Sequence, residues 1–201
     1  MPPDLPNFPT SSGPPLPTPS PDTHLKPDCA SCAALCCIAL DIEKGDLFPI
    51  DKPAGVACPN LNDRHLCRIH SNLENKGFGG CIQFDCLGAG QRVVQDLFNG
   101  VSWRDDPKIL SPMSQAFRDL RDIHEALQLL FSARALPLSK DQAQKLERFI
   151  NALTPERWTM PLIEAVFANK TLGQTSAFLR SLADTAKNNP GSTLAANPPA
   201  P

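Results

Sequence analysis

The sequence predicts a mainly α protein in which a cysteine-rich, loop-dominated metal-binding region packs on a small helical bundle. Three observations carry that expectation. All eight cysteines fall between Cys29 and Cys86. The stretch that holds them is broken by Gly and Pro and lacks helical periodicity. Beyond Cys86 the apolar residues recur at spacings of three and four, the period of a helix with one buried face.

Taken in order, the chain opens with a leader expected to be disordered over 1–27. Ten of its 27 residues are proline and most of the others are small or polar, so little apolar surface offsets the entropy of ordering it. The same composition in "NNPGSTLAANPPAP" marks a disordered tail over 188–201. Between them, the metal-binding region is assigned to 28–100 and the α-helical region to 101–187. In the first, "DIEKGDLFPIDKPAGVACPN" reads as turns with a short hairpin, and "NKGFGGC" as a loop. A segment this irregular buries little and needs a staple, which metals supply in small folds.

Helical stripes follow. Leu87, Gly90, Val94, Leu97 and Phe98 share one face, with Asn99-Gly100 as a stop. Phe117, Leu120, Ile123, Leu127, Leu130 and Phe131 form a longer stripe. Ser139 with Gln142 is a capping-box pattern ahead of Leu146, Phe149, Ile150 and Leu153. Pro161 restarts a helix, and "TSAFLRSLADTAK" closes a set of about four to six amphipathic helices.

Composition excludes several functions. Net charge is −2, with no basic run to track phosphates, so no nucleic-acid partner is expected. The longest apolar run, "CAALCCIAL", is far short of the ~20 residues a membrane span needs, so no membrane partner is expected. The N-terminus lacks the basic start and apolar core of a signal peptide, which points to a cytoplasmic protein.

In a reducing cytosol crowded cysteines mean metal or redox chemistry more often than disulfides. The spacing Cys-x2-Cys-x3-Cys-Cys of Cys29, Cys32, Cys36 and Cys37, followed by Cys58, Cys67, Cys81 and Cys86, is the stronger signal for a soft metal. Zinc or iron, the latter also as an iron–sulfur cluster, takes about four thiolates per centre. Eight thiols therefore make two four-ligand sites, or one larger site with spares. Cys36 and Cys37 are neighbours whose side chains diverge, so the pair suits a position between two sites or across a binuclear one. Buried structural thiols and a disulfide or redox pair are the competing readings.

Other groups add less. His70 stands two residues beyond the Cys67 neighbour at Cys-x2-His spacing, but reads better as a loop residue. His65 reads as a turn residue and His124 as a helix-face residue far from any cysteine in sequence. "GAG" at 88–90 lacks the rest of a dinucleotide fingerprint. Asp105-Asp106 ahead of Pro107 reads as a helix cap. The Cys-x3-Cys-x2-Cys order of radical S-adenosylmethionine enzymes is absent.

"CASCAALCC", then "CPNLNDRHLCRIH" and "GGC", resembles the bacterial cysteine-cluster family of zinc- or iron-chelating proteins, with its Cys-x2-Cys-x3-Cys-Cys signature. Cys29, Cys32, Cys36 and Cys37 match its first part, and Cys58, Cys67 and Cys81 its second. Ile69-His70 stands where Ile-Tyr is usual, and the Arg-Pro that often precedes the last cysteine is replaced by "NLENKGFGG". "DCLGAGQRVVQDLF", which includes Cys86, is similar to the cysteine-rich leader region of some pentapeptide-repeat proteins, although these 201 residues hold no such repeats. The resemblance implies metal chelation, with no reaction attached and the protein partner unknown. A distant relative in the wider family is a flagellin lysine methylase, which supplies the alternative of a metal- or cluster-dependent protein-modifying enzyme.

Overall fold

The computed structural model describes residues 20–182. It is mainly helical, and its centre is the long stripe predicted from the sequence. Helices α1 (Pro21–His24), α2 (Leu35–Ala39), α3 (Gly79–Gln83) and α4 (Ala89–Arg92) are short; α5 (Leu110–Ala133), α6 (Lys140–Leu153), α7 (Met160–Ala168) and α8 (Thr171–Ser181) form the bundle. Among the described residues none of these helices is long and apolar enough to cross a membrane.

α5 is the pillar. Its Met113, Ala116, Phe117, Leu120, Ile123, Leu127 and Leu130 are fully buried, and it packs against α2, α4, α6, α7 and α8. α6 begins where the capping box places it: Ser139 Oγ accepts from the Gln142 N–H, and Gln142 Oε1 accepts from the Ser139 N–H. Its Leu146, Phe149, Ile150 and Leu153 are buried as the stripe requires, and Phe149 lies 5.5 Å from the Phe178 ring of α8. Thr159 caps α7 by accepting from the Leu162 N–H, with Pro161 in the first turn where its missing N–H is harmless. α8 starts at Thr171, four residues ahead of the stretch quoted for it.

Two differences from expectation matter for the site. The apolar stripe that begins at Leu87 does not begin a helix there. Leu87 and Gly88 both have positive φ, 49° and 73°, and the helix starts at Ala89, passing into a π turn at Val93–Leu97. The second difference concerns the ends. The tail over 188–201 and the leader up to residue 19 lie outside the described residues, but residues 20–27 carry α1 and a buried Leu25. Gln91 holds this segment by donating to the Lys26 carbonyl (2.8 Å) and accepting the Asp28 N–H (3.0 Å).

The hydrophobic core is continuous across the sequence-based boundary near residue 100. Leu25, Ala33, Leu35, Ile38, Leu87, Val93 and Val94 share it with the bundle. Trp103 donates its indole N–H to the Ala33 carbonyl (2.7 Å), and the Arg92 guanidinium reaches the carbonyls of Pro155 and Glu156. Residues 41–85 share less of it: their buried apolar side chains, Ile42, Cys58, Leu61 and Phe78, lie outside that core, while the half-buried Ala57 and Phe84 pack against it. Extended pairing among the described residues is limited to isolated antiparallel bridges at Ile42–Lys52, Gly45–Phe48 and Leu61–Cys67. The first two make the short hairpin expected there.

Candidate metal centre

The thiols come from separate stretches of chain, which two sets of contacts tie together. Cys29, Cys32 and Cys36 lie on residues 29–36, tied to the α4 segment by Gln91 and by Gln95, whose amide donates to the Ser31 carbonyl (2.9 Å). α4 follows Cys86 directly, and Gly90 packs so tightly on Cys32 that a Cβ there would lie 2.5 Å from its Sγ. Cys32, Cys36 and Cys86 all pack against the hydrophobic core.

The second set is built from the loops. The Cys58 N–H donates to the Cys37 carbonyl (3.0 Å), and the Leu61 N–H to the Cys58 carbonyl (2.9 Å). The Leu61–Cys67 bridge and the Arg68 N–H on the Asn60 carbonyl (2.8 Å) then place Cys67 beside that turn. Cys81 arrives on α3, which is fixed by the Gly80 N–H on the Leu47 carbonyl (3.1 Å) and by Phe48, whose ring occupies the space over Gly80.

Electrostatics follows the same division. Burial raises the Cys32 thiol to about 11, with Cys86 and Cys29 adding to it. Cys29 is raised by burial and then chiefly by Cys86, with a last contribution from Cys37. Cys36 is raised first by its hydrogen bond to Cys37, then by burial, and also by Cys32 and Cys86. In the other set burial raises Cys81 to about 11, with Cys37, Cys58 and Cys67 adding to it. Burial likewise raises Cys67, helped by Cys37 and Cys58. The sets meet at Cys36 and Cys37, whose sulfurs are 3.9 Å apart. That contact lowers Cys37 to about 7, because the Cys36 S–H supports its thiolate, and the Lys52 ammonium assists.

Several sulfurs are also provided with donors. The N–H groups of Leu35 and Ala34 lower the Cys32 thiol, those of Gly88 and Gly90 the Cys86 thiol, and that of Ile69 the Cys67 thiol. Ala34 and Gly88 each stand two residues after a cysteine with positive φ, 54° and 73°. The chain thus turns back on the sulfur at both places. Backbone N–H groups aimed at a sulfur favour its anion.

All eight cysteines are free. Among the described residues, no group of three or more His, Cys, Asp or Glu side chains stands where it could hold a metal ion as the side chains are placed.

The histidines divide differently. His70 is exposed and enters neither set. His65 has positive φ (60°) in its turn, as expected, and stacks edge-on against Trp103 at 5.7 Å. His124 lies on α5, as expected, and is buried there, where its Nδ1 bonds the Leu87 carbonyl at 2.6 Å, next to Cys86 in sequence. Burial lowers its pKa to about 4, and Arg92 and His24 add to the effect. Sequence periodicity marks the α5 face but not the carbonyl that the Leu87 turn aims at it.

Lys52 was also hidden. The Ile42–Lys52 bridge buries it, and its ammonium donates to the carbonyls of Leu40 and Pro53. Burial lowers its pKa, against opposing influence from Cys58, Cys37, Asp41 and Cys36. Only the charge pattern of a folded turn could have revealed this lysine. Asp106 caps the helical turn at Pro107–Ile109 by accepting from the Lys108 N–H, whereas Asp105 caps no helix and accepts from the Ser102 N–H and hydroxyl. A cavity of about 350 Å³ beside Lys108, Ser114 and Arg118 has no thiol, histidine or carboxylate in its lining.

Comparison with known proteins adds a likeness rather than a role. The uncharacterized protein YybG of Bacillus subtilis (strain 168) is 34% identical to this chain over 168 residues. The match covers 79% of this chain and 60% of that protein, so the chain spans less than two thirds of the curated relative's length. No protein-family model matches the chain, and no solved structure matches it significantly. That relative is itself uncharacterized, so no ligand, reaction or partner passes from it to this chain.

Proposed function

We propose that the protein is a cytoplasmic metal-binding protein whose cysteine cluster holds zinc or iron, the latter as ions or as an iron–sulfur cluster, in a structural, metal-handling or redox role. The observation that carries this reading is that cysteines from separate stretches of chain are gathered: the Cys58 N–H bonds the Cys37 carbonyl (3.0 Å), the Leu61–Cys67 bridge sets Cys67 beside that turn, and the Cys36 and Cys37 sulfurs lie 3.9 Å apart. Thiolates crowded in this way are opposed by burial and by mutual repulsion. A soft cation resolves the conflict, because it binds thiolates and its charge offsets their repulsion.

The ligands would be Cys29, Cys32, Cys36, Cys37, Cys58, Cys67, Cys81 and Cys86. Each would release its proton on binding, and because no three such groups stand together as placed among the described residues, the side chains would have to reorient to enclose an ion. The bound ion would supply cross-links that the loops over 41–85 cannot obtain from their few buried side chains.

Anaerobic purification followed by elemental analysis and absorption spectroscopy tests the proposal. Zinc in a colourless protein, or iron with broad visible absorption, supports it. Protein free of both metals after growth in metal-replete medium, and unable to take up either under reducing conditions, would overturn it.

A further inference from the structure

We propose that Cys36 and Cys37 together form a dithiol site that captures a trivalent mono-organo arsenical through bonds to both sulfurs. Such a ligand takes two thiols and no third, so the site is complete in this pair. Failure of capture would leave the metal-binding reading to its own test.

The pair is unlike ordinary helical neighbours. Adjacent side chains on a helix splay apart, yet these two sulfurs lie 3.9 Å from one another. A direct disulfide suits them poorly. Its sulfurs stand about 2.05 Å apart and its Cα atoms usually at least about 4.4 Å apart, whereas consecutive Cα atoms are separated by about 3.8 Å. An atom bonded to both sulfurs at about 2.3 Å, the length of a zinc–thiolate bond, holds them about 3.8 Å apart at a tetrahedral angle. That is close to the spacing found, so a single bridging atom fits the pair better than a sulfur–sulfur bond.

The backbone holds the pair in place. Ala34 enters α2 with a φ of 54°, and its carbonyl accepts the Cys37 N–H (2.9 Å). Leu35 and Ile38, on either side of the two cysteines, are buried in the core. The Cys37 carbonyl accepts the Cys58 N–H (3.0 Å), and the Ile38 carbonyl accepts the Gly55 N–H (2.7 Å). Lys52 closes the far end of the helix by donating to the Leu40 carbonyl. Both thiols are half-buried rather than sealed, which leaves an approach for a small reagent. With the backbone fixed, little freedom is lost on chelation, and the second sulfur attacks at a high effective concentration. The exchange changes no oxidation state: each S–H gives its proton to a hydroxyl on arsenic, which leaves as water, and two As–S bonds replace two As–O bonds.

The test exposes full-length protein, kept reduced by a monothiol and free of metal by a chelator, to about one equivalent of phenylarsine oxide. Intact-mass and peptide-fragmentation spectrometry read the product. The expected result is one phenylarsenic group per chain, bridging Cys36 and Cys37, retained in excess monothiol and released by a dithiol. Cys36→Ser and Cys37→Ser, each checked for wild-type helix content by circular dichroism, should hold the group about a hundredfold more weakly. If Cys36→Ser fails to fold, Cys37→Ser and the mapped position of the adduct decide. An adduct bridging any other pair of cysteines, no adduct that survives the monothiol, or undiminished retention in Cys37→Ser would overturn the proposal.

Discussion

Acidification should destabilise this protein through His124 before it protonates most carboxylates. The imidazole is buried on α5 and bonded to the Leu87 carbonyl, and burial lowers its pKa from 6.5 to about 4. Arg92 and His24, the cationic groups that face it, work in the same direction. In the unfolded chain the ring regains its ordinary affinity for a proton. Between pH 6.5 and about 4 the unfolded state therefore binds more protons than the folded state, and stability falls as pH falls. Above that window the contribution is complete. At about 1.36 kcal/mol per pH unit the full loss is roughly 3 kcal/mol, with about 1 kcal/mol gone at pH 6 and about 2 kcal/mol at pH 5.

The assay is urea unfolding from pH 8 to pH 4 on the wild type and on His124→Gln, which keeps an amide donor for Leu87 but does not titrate. Any loss of thiolate–metal bonds in acid would be common to both proteins and would cancel in the difference. The wild type should lose about 2 kcal/mol more than the variant by pH 5. Parallel stability curves would show that His124 titrates normally in the folded protein and refute the argument.

Other outcomes follow from the same contacts. Gly90→Ala gains about 1 kcal/mol of helix propensity, yet its new Cβ would lie 2.5 Å from Cys32 Sγ. The thiol should rotate away, leaving unfolding free energy within about 1 kcal/mol of wild type but lowering the metal content expected from the proposed function, as elemental analysis would check. Lys52→Met strands the carbonyls of Leu40 and Pro53 and should cost about 1–3 kcal/mol in a denaturant titration. It should also move thiolate formation at Cys37 above pH 7, followed by pH-dependent alkylation with peptide mapping. Leu25→Ala should lower stability by roughly 2–3 kcal/mol in the same titration, because Leu25 is buried in the shared core. Deletion of residues 1–26 should therefore be more harmful than deletion of residues 1–19, contrary to what a uniformly disordered leader predicts.

What was legible in the sequence is what short-range chemistry determines. The capping box at Ser139 and Gln142 and the buried stripe of α5 both depend on residues within a few positions of one another. The thiol positions were legible for the same reason, whereas the expected divergence of Cys36 from Cys37 is not what the structure has: their sulfurs lie 3.9 Å apart. Which thiol-bearing segments are tied together was not legible, since it depends on hydrogen bonds such as Cys58 to Cys37, Gln91 to Asp28 and Gln95 to Ser31, which span 21, 63 and 64 positions. Leu25 escaped notice because one leucine among prolines has no periodicity. His124 and Lys52 escaped because their partners are carbonyls, and every residue offers one. The helix start was misread at Leu87 because a left-handed turn at an apolar residue leaves no compositional mark.

The two tryptophans give the molecule an optical signature that separates its parts. Trp158 is sealed in the core, with its N–H backbone held by Asp96, so its emission reports on the bundle alone. Trp103 is half-buried, and its indole N–H holds the carbonyl of Ala33, one position beyond Cys32. Its ring faces His65, two positions before Cys67, and carries the Arg104 guanidinium 4.6 Å from its centroid. One chromophore thus touches chain that leads to both sets of cysteines. Replacing Trp158 with phenylalanine would leave a single emitter at the junction, able to register in real time any rearrangement of the cysteine-bearing segments around it.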